Sequence, residues 1–303
     1  MLFESTTPTR FAAIDIGTNT ALLVIADVLH GVVDTIVADE HAIPRLGEGV
    51  YLDGYIRPSA VRRTLETLEH YRSIINGASV SASVAVATAA LRNAVNRAEV
   101  QQQLSKALGN IPLYVIDGLR EADITYSGVI GTNVPAGIID IGGGSTELVW
   151  PSGGNINERL SLDQGAVRLT EAWKAGTQPY GTVNVDTLLP QVDGLQWYGV
   201  AGTPVALSML DQGLHRYDEQ SINNYPLSVD RVTYWCNALV HGELPSVIAQ
   251  SIPAGRRDIL PAGSIILAEL MRKMNMPQIT VSTRGLRHGV VQWMAERRLP
   301  FTM

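Results

Sequence analysis

The sequence predicts an α/β protein of two domains, each with a mixed sheet flanked by helices. Three observations carry this prediction. An apolar strand, a glycine turn and a second strand occur twice, with Asp15 and Asp140 at equivalent positions 125 residues apart. Short apolar strands alternate with amphipathic helical segments, which is typical of mixed sheets with helical crossovers. The length of 303 residues is sufficient for two cores of ordinary size.

The first half of the chain supplies the first hairpin and its sheet. FAAIDIGTNTALLVIADV, from Phe11 to Val28, is predicted as strand, turn and strand. Apolar residues at helical spacing predict an amphipathic helix from Ser59 to Asn76 that stops at Gly77. The same criteria predict a strand over Gly31–Ile43, a strand over Ser83–Thr88, a helix over Asn96–Leu108, a strand over Leu113–Ile116 and a helix opened by Glu121.

The second half begins with IIDIGGGSTELVW, from Ile138 to Trp150, in which a glycine turn separates two strands. Thr203 is predicted as the N-cap of a helix that starts at Pro204. The polar region from Ala175 to Gly194 is predicted to be the loosest part of the chain. The remaining elements are a hairpin turn over Pro151–Glu158, a strand running into a helix over Leu160–Trp173, helices over Val229–Leu239, Ser264–Met274 and Leu286–Arg297, and a strand over Ile279–Ser282.

The second glycine turn has the composition of a phosphate-binding turn. Glycines let backbone N–H groups approach an anion closely, and Ser145 and Thr146 add hydroxyl donors. Asp140 and Glu147 flank the turn, and their carboxylates would repel a phosphate unless a cation lay between, for which Mg²⁺ is the usual ion. Glycine turns are also common in plain hairpins, and a lone aspartate such as Asp15 is typical of a hairpin cap. The repetition of the turn favours phosphate binding.

Ordered motifs along the chain point to a known family. They are DIGTNT (Asp15 to Thr20), RLGEGV (Arg45 to Val50), ATAALRNA (Ala87 to Ala94), GLREADITYSGV (Gly118 to Val129), DIGGGSTEL (Asp140 to Leu148), AGTP (Ala201 to Pro204) and GLRHG (Gly285 to Gly289). With these motifs the chain resembles, nearly end to end, the exopolyphosphatase / guanosine pentaphosphate phosphohydrolase (Ppx/GppA) family of the actin-like ATPase superfamily.

The resemblance implies two actin-like (ribonuclease H-like) domains, at residues 1–121 and 122–289, with the active site in the cleft between them and a helix at about 290–303 that packs on the first domain. It implies Glu121 as the base that accepts a proton from water, with Glu147 as a second catalytic carboxylate. Mg²⁺, with Mn²⁺ as the alternative ion, is expected at Asp15, Asp140 and Glu147. Phosphate binding is expected from Gly17, Thr18, Asn19, Thr20, Arg45, Arg92, Gly142, Gly143, Gly144, Ser145, Thr146 and Arg287.

Simpler explanations exist for several of these residues. An acidic residue in the first turn of a helix, such as Glu121, favours the helix dipole without any chemistry. Arg45 or Arg92 could instead pair with Glu48 or Glu121 and merely fix the structure. For Arg287 a similar pairing or a role at a helix end is the alternative.

Composition excludes several classes of protein. The net charge of −6 argues against a general nucleic-acid binder, which needs a basic face. The apolar runs are too short to cross a bilayer, and MLFESTTPTRF at the N-terminus lacks the features of a signal peptide. Cys236 is the single cysteine, which rules out an internal disulfide and fits a reducing cytoplasm. We therefore expect a cytoplasmic protein without nucleic-acid or membrane partners, and leave a homodimer open.

These expectations converge on an exopolyphosphatase that releases the terminal phosphate of inorganic polyphosphate by Mg²⁺-assisted attack of water. Longer family members carry a further C-terminal helical domain for which this chain has no room, so short polyphosphates are expected. Hydrolysis of guanosine pentaphosphate (pppGpp) is the alternative chemistry, and Pro204 in the AGTP turn leaves nucleoside binding open. A non-catalytic alarmone sensor and an ATP-dependent kinase are the remaining alternatives.

Overall fold

The computed structural model describes residues 7–130, 135–152, 156–185, 189–190, 194–244 and 252–298. The fold divides into two compact units. Unit 1 comprises Met1–Thr132 together with Leu286–Met303, and unit 2 comprises Asn133–Gly285. No helix in the described part of the chain is long and apolar enough to cross a membrane.

Unit 1 is built on a five-stranded mixed sheet with the order β3-β2-β1-β4-β5. Its strands are β1 (Thr9–Ile16), β2 (Ala21–Leu29), β3 (Val32–Ala42), β4 (Ala82–Ala87) and β5 (Leu113–Val115). β2 pairs antiparallel with β1 and β3, whereas β4 and β5 continue the sheet in parallel with β1. The helices of the unit are α1 (Val50–Asp53), α2 (Pro58–Gly77), α3 (Ala89–Asn93), α4 (Arg97–Leu108), α5 (Gly118–Val129) and, after unit 2, α12 (Leu286–Ala295).

Both faces of this sheet are covered. Successive side chains of β1 point to opposite faces and belong to two different cores. Ile14 and Ile16 belong to a core that includes residues of α2 and α4. Ala13 belongs to a separate core with residues of α5 and α12. Asp15 has the same parity as Ala13, so its side chain lies on the face that α5 and α12 cover, at the carboxyl end of the strand.

The helices α5 and α12 meet at their backbones. A Cβ atom on Gly289 would lie 1.8 Å from the carbonyl oxygen of Ile124, a distance that no side chain tolerates. Further along, Trp293 Nε1 donates to Ser127 Oγ at 3.0 Å. These contacts place the last described helix in unit 1, while residues 299–303 lie outside the described part.

Unit 2 repeats the plan with a six-stranded sheet of order β10-β11-β9-β6-β7-β8. Its strands are β6 (Ala136–Ile141), β7 (Thr146–Ser152), β8 (Ile156–Leu162), β9 (Gln196–Val200), β10 (Pro226–Ser228) and β11 (Gln278–Val281). Its helices are α6 (Ala166–Lys174), α7 (Gly202–Gln212), α8 (Glu219–Ile222), α9 (Val229–His241), α10 (Ala254–Arg257) and α11 (Leu260–Lys273). Residues of α6, α7, α9 and α11 pack with Ile139, Ile141 and Leu148 on one face of this sheet.

The two sheets share a topology. The run β8-β7-β6-β9-β11 in unit 2 has the same pairing directions as β3-β2-β1-β4-β5 in unit 1. The predicted α/β fold class, with two units that each contain a mixed sheet flanked by helices, is confirmed. The boundary of the units follows the end of α5, so unit 1 extends past the predicted limit at Glu121.

Two local predictions differ from the structure, at Thr203 and at the start of α5. Thr203 is not an N-cap: α7 begins at Gly202 behind Ala201, whose φ is 68°, and Thr203 is buried against Gly263. The motif residue Arg92 lies in α3, which follows β4. The helix predicted from Glu121 starts at Gly118, because Asp117 caps it by accepting the Arg120 N–H at 2.8 Å.

Candidate active site

The glycine turn of unit 2 closes between β6 and β7. Gly142 N donates to Ser145 O at 3.0 Å, next to the paired residues Ile141 and Thr146. Ser145 is buried, and Thr146 Oγ1 donates to Gln164 O at 2.6 Å. The hydroxyl proton of Thr146 is therefore engaged, and Ser145 carries the remaining hydroxyl of the turn.

The N-terminus of α6 holds the carbonyl groups of this turn. Ala166 N donates to Gly142 O at 2.9 Å, and the N–H groups of Val167 and Arg168 donate to Gly143 O at 2.8 and 3.0 Å. The Arg168 guanidinium adds a bond from Nε to Gly144 O at 2.9 Å. All three carbonyl groups of the glycines thus point towards α6.

Gly165, just before α6, makes this close approach possible. A Cβ atom there would lie 2.5 Å from backbone atoms of Gly143 and Gly144. Its φ of −149° is available to any residue, so the glycine is needed for space and not for backbone conformation.

The peptide geometry then fixes the donors of the turn. In a planar trans peptide the N–H group points opposite to the preceding carbonyl group. Because the carbonyl groups face α6, the N–H groups of Gly143, Gly144 and Ser145 face away from it. None of these N–H groups has an acceptor among the described residues. Successive N–H groups that point in one direction form an anion-binding concavity.

Two carboxylates lie beside this concavity. Asp140 and Glu147 are directly opposite each other in the β6–β7 ladder, so their side chains share the face opposite to Ile139 and Leu148. Asp140 is 8% exposed and Glu147 is 0% exposed. Ser161 Oγ donates to Glu147 Oε1 at 2.8 Å. Two buried like charges in cross-strand positions are destabilising unless a cation or proton compensates them.

This donor set fits Mg²⁺. The ion prefers carboxylate oxygens and is commonly held by one or two of them together with water and substrate phosphates. No cluster of three or more His, Cys, Asp or Glu side chains suited to a metal occurs within the described ranges. A site made by Asp140 and Glu147 alone would therefore leave most of the coordination sphere of the ion to water and substrate.

The first turn, in unit 1, is held in a comparable way by a loop. Gly17 N donates to Thr20 O at 2.9 Å and closes the turn. Gly47 N donates to Thr18 O at 2.8 Å, and Arg45 N donates to Asn19 O at 3.0 Å. A Cβ atom on Gly47 would lie 2.4 Å from Thr18 Cγ2, so the absence of a side chain at Gly47 lets this loop pack closely against the turn.

Asp15 and Glu121 lie on one face and at one edge of the unit 1 sheet. Asp15 is at the carboxyl end of β1, and Glu121 is in the first turn of α5, which follows the carboxyl end of β5. Glu121 is 8% exposed and accepts from Arg92 Nη1 at 3.2 Å, while the same nitrogen donates to Ile116 O at 2.8 Å. Arg92 therefore fixes the side chain of Glu121.

The other predicted arginines have carboxylate partners as well. Arg45 Nε lies 3.7 Å from Glu48 Oε1, and Arg63 holds the other oxygen of Glu48 at 2.8 Å. Arg287 forms a bidentate pair with Asp39, with distances of 3.0 and 2.8 Å. Burial opposes ionisation of Asp39, but hydrogen bonds from His41 and Arg287 outweigh it and hold the pKa of Asp39 well below its usual value.

Comparison with known proteins shows the family to which the chain belongs. A model of the Ppx/GppA phosphatase family matches residues 24–298. The chain belongs to the Ppx/GppA phosphatase family. It is 32% identical to Exopolyphosphatase 2 of Mycobacterium tuberculosis, in an alignment that covers 93% of this chain and 97% of that protein. Membership of the Ppx/GppA family makes the chain a phosphatase hydrolase.

Solved structures of Ppx/GppA proteins have the same fold. The Aquifex aeolicus family member matches with a TM-score of 0.73 and 25% identity, over 97% of this chain and 99% of that one. An exopolyphosphatase from Cytophaga hutchinsonii matches with a TM-score of 0.77 and 25% identity, over 95% and 98% of the two chains.

Within this Ppx/GppA fold the predicted site residues fall into two groups. In unit 1 the turn Gly17–Thr20, Asp15, Arg45, Arg92 and Glu121 gather at the carboxyl edge of the parallel strands. In unit 2 Asp140, the turn Gly142–Thr146 and Glu147 form the second group. Arg287 is the exception, because its side chain is 5% exposed and its guanidinium is paired with Asp39.

Three residues that contact the second glycine turn or the AGTP turn were not identified from the sequence. Gly165 and Arg168 hold the second turn, and the sequence signal was a glycine placed just before a helix that carries an arginine in its first turn. Arg256 Nη1 donates to Gly202 O at 3.1 Å, and a Cβ atom on Gly202 would lie 2.4 Å from Arg256 Cζ. Burial lowers the pKa of Arg256, which has no carboxylate within ion-pair distance among the described residues.

Proposed function

We propose that the chain is an exopolyphosphatase that releases the terminal phosphate of inorganic polyphosphate with Mg²⁺. One observation carries the proposal: three backbone N–H groups of the turn Gly142–Ser145 point the same way beside the carboxylates of Asp140 and Glu147. Such donors match the equatorial oxygens of a phosphoryl group, where charge accumulates during transfer. The names of the related proteins support the same substrate.

Glu121 is the proposed general base. A water molecule attacks the terminal phosphorus atom, the bond from phosphorus to the bridging oxygen breaks, and the shortened polyphosphate leaves with the electron pair of that bond. Glu121 accepts the proton that the attacking water loses. Arg92 restrains the carboxylate through its bond at 3.2 Å, so Glu121 presents a fixed oxygen to the water. Asp15 lies on the same face of the sheet and is proposed as a further acidic ligand.

Mg²⁺, or Mn²⁺ in its place, would be held by Asp140 and Glu147, the latter oriented by Ser161. When bound, the ion neutralises negative charge on the substrate phosphates. Without it, the two buried carboxylates would repel a polyanion at the turn.

Hydrolysis of pppGpp is the second candidate. Arg256 covers the surface of Gly202, against which a nucleoside would have to lie if the AGTP turn contacted it. The same guanidinium supplies positive charge at the carboxyl edge of the unit 2 sheet, which suits a further phosphate group. Both features favour polyphosphate over a nucleotide.

The test compares substrates and one isosteric variant. Phosphate release is measured from polyphosphates of several lengths, from pppGpp and from ATP, with and without Mg²⁺. We expect release from polyphosphate, most rapid for short chains, and a loss of about 10²- to 10⁴-fold in Glu121→Gln. Glu66→Gln on the exposed side of α2 is the matched control and should retain the wild-type rate. Binding without turnover by the wild type would support an alarmone sensor, and faster release from pppGpp would support the second candidate. Transfer from ATP to an acceptor would indicate a kinase.

A further inference from the structure

Arg168 contacts the second turn through both its backbone and its side chain. Its N–H donates to Gly143 O at 3.0 Å, and its Nε donates to Gly144 O at 2.9 Å. Its Nη2 lies 2.9 Å from Asp163 Oδ1. The side chain is 26% exposed, so it lies mostly against the turn and not in solvent.

The carbonyl group of Gly144 is held by the Arg168 side chain, whereas those of Gly142 and Gly143 are held by the backbone of α6. The carbonyl groups of Gly142 and Gly143 receive backbone N–H groups from α6, which the helix holds rigidly. The carbonyl group of Gly144 receives no backbone donor among the described residues, and the guanidinium replaces one. A peptide between a glycine and the next residue can otherwise rotate at low cost, because glycine populates many backbone conformations.

We propose that Arg168 is a positioning residue of the Ppx/GppA site: it fixes the peptide between Gly144 and Ser145 so that the Ser145 N–H group faces the bound phosphoryl group. This inference rests on the proposed function of the turn. The guanidinium also polarises the peptide from the carbonyl side, since a charged donor strengthens the hydrogen bonds of the group to which it is joined. Its effect on the substrate is transmitted through the backbone, without contact between Arg168 and the substrate.

The ion pair with Asp163 is the alternative reason for Arg168 to be present. The side chain of Asp163 is 83% exposed, and exposed ion pairs contribute little to stability. Removing that pair should leave the turn unchanged, because the bond from Nε to Gly144 O does not involve Asp163. Asp163→Asn is therefore a matched control that changes the partner and keeps the positioning bond.

The test compares Arg168→Ala, Arg168→Lys and Asp163→Asn in the full chain. Tripolyphosphate hydrolysis, inhibition by inorganic phosphate and the melting temperature are measured for each. We expect kcat/KM to fall and the inhibition constant of phosphate to rise about 10- to 100-fold in Arg168→Ala, the range of a lost charged hydrogen bond. Arg168→Lys should recover part of this loss, and Asp163→Asn should match the wild type. Phosphate inhibition in Arg168→Ala equal to that of Asp163→Asn would overturn the proposal, as would losses that simply follow the melting temperature.

An amide spectrum separates this inference from the proposed function. In ¹⁵N spectra without ligand, the Ser145 amide resonance should move in Arg168→Ala and stay in place in Asp163→Asn. If the wild type fails to hydrolyse polyphosphate, the proposed function fails, while the shift of the Ser145 resonance still decides whether Arg168 orients the peptide. An unmoved resonance refutes the positioning role, whatever the substrate.

Discussion

Replacing Gly165 with alanine tests how closely α6 must approach the glycine turn. The new Cβ atom would start 2.5 Å from Gly143 and Gly144, and ordinary contacts begin at 3.4 Å. The helix and the turn would have to separate by about 0.9 Å. The obstacle is backbone on both sides, so no side-chain rotation relieves it. If α6 moved as a body, the bond from Val167 N to Gly143 O would lengthen from 2.8 to about 3.7 Å, beyond hydrogen-bonding range.

The magnitude follows from these bonds. Each backbone hydrogen bond contributes about 1 kcal/mol, and the replacement of glycine by alanine returns about 0.4–1 kcal/mol through the unfolded state. Weakening two or three hydrogen bonds should therefore lower the free energy of unfolding by about 1–2 kcal/mol in total. The melting temperature should then fall by roughly 2–8 °C, because in a unit of this size each kcal/mol of lost stability lowers it by about 2–4 °C. Activity should fall more, about 100-fold, because displacement of a binding group by about 1 Å is sufficient for such a loss.

The assay is phosphate release from tripolyphosphate, together with thermal unfolding followed by circular dichroism. Gly77→Ala is the matched control, because Gly77 also adjoins a helix end and a Cβ atom there would meet nothing within 4 Å. It should be as active as the wild type and at least as stable. A Gly165→Ala protein with the activity of Gly77→Ala would refute the argument that the contact with α6 orients the turn.

Further expectations concern the contacts of α12 and the carboxylates. Gly289→Ala should lower both the melting temperature and kcat, because its Cβ atom would meet the Ile124 carbonyl oxygen on α5, the helix of the proposed base; normal values would contradict the role of this backbone contact. Asp39→Asn should be less stable at neutral pH. Since its folded pKa is lowered, Asp39 stabilises the fold above about pH 4 and loses that contribution as pH falls. Urea unfolding at several pH values should therefore show a flatter loss of stability on acidification in the variant than in the wild type. Asp140→Asn should raise the Mg²⁺ concentration needed for half-maximal activity about tenfold, and calorimetry showing unchanged affinity would remove Asp140 from the metal site.

Much of the fold could be predicted because its signals are local. The hairpins at Asp15 and Asp140 combine alternating apolar residues with a glycine turn, and both occur where predicted. The helix α2 has a continuous apolar stripe and ends at Gly77 as predicted. The errors arise where tertiary contacts determine the start of a helix. Thr203 has the chemistry of an N-cap, but its side chain is buried against α11, and the chain enters the helix earlier through Ala201.

The site was predictable only in part, for the same reason. Motifs identify the turns and their acidic neighbours, but they do not show which atoms hold the turns in place. The partner of Arg287 is 248 positions away on β3, so its guanidinium could be assigned to phosphate or to structure with equal reason until the fold was known. Gly165 lies just before an amphipathic helix and Arg168 lies in its first turn. That local signal does not by itself show that both residues reach back to Gly143 and Gly144.

The two glycine turns are held by similar backbone hydrogen bonds, but they differ in the residues that flank them. In each, neighbouring N–H groups hold the carbonyl groups of the turn, from a loop at Arg45 and Gly47 in unit 1 and from α6 in unit 2. The difference lies across the hairpin. Asp15 faces Leu22, whereas Asp140 faces Glu147, so only the second hairpin places two carboxylates together. That pair is costly without a cation, which supports Asp140 and Glu147 as proposed ligands of the ion. In unit 1 the buried carboxylate of Glu121 has Arg92 as its partner, so its charge is compensated within the unit.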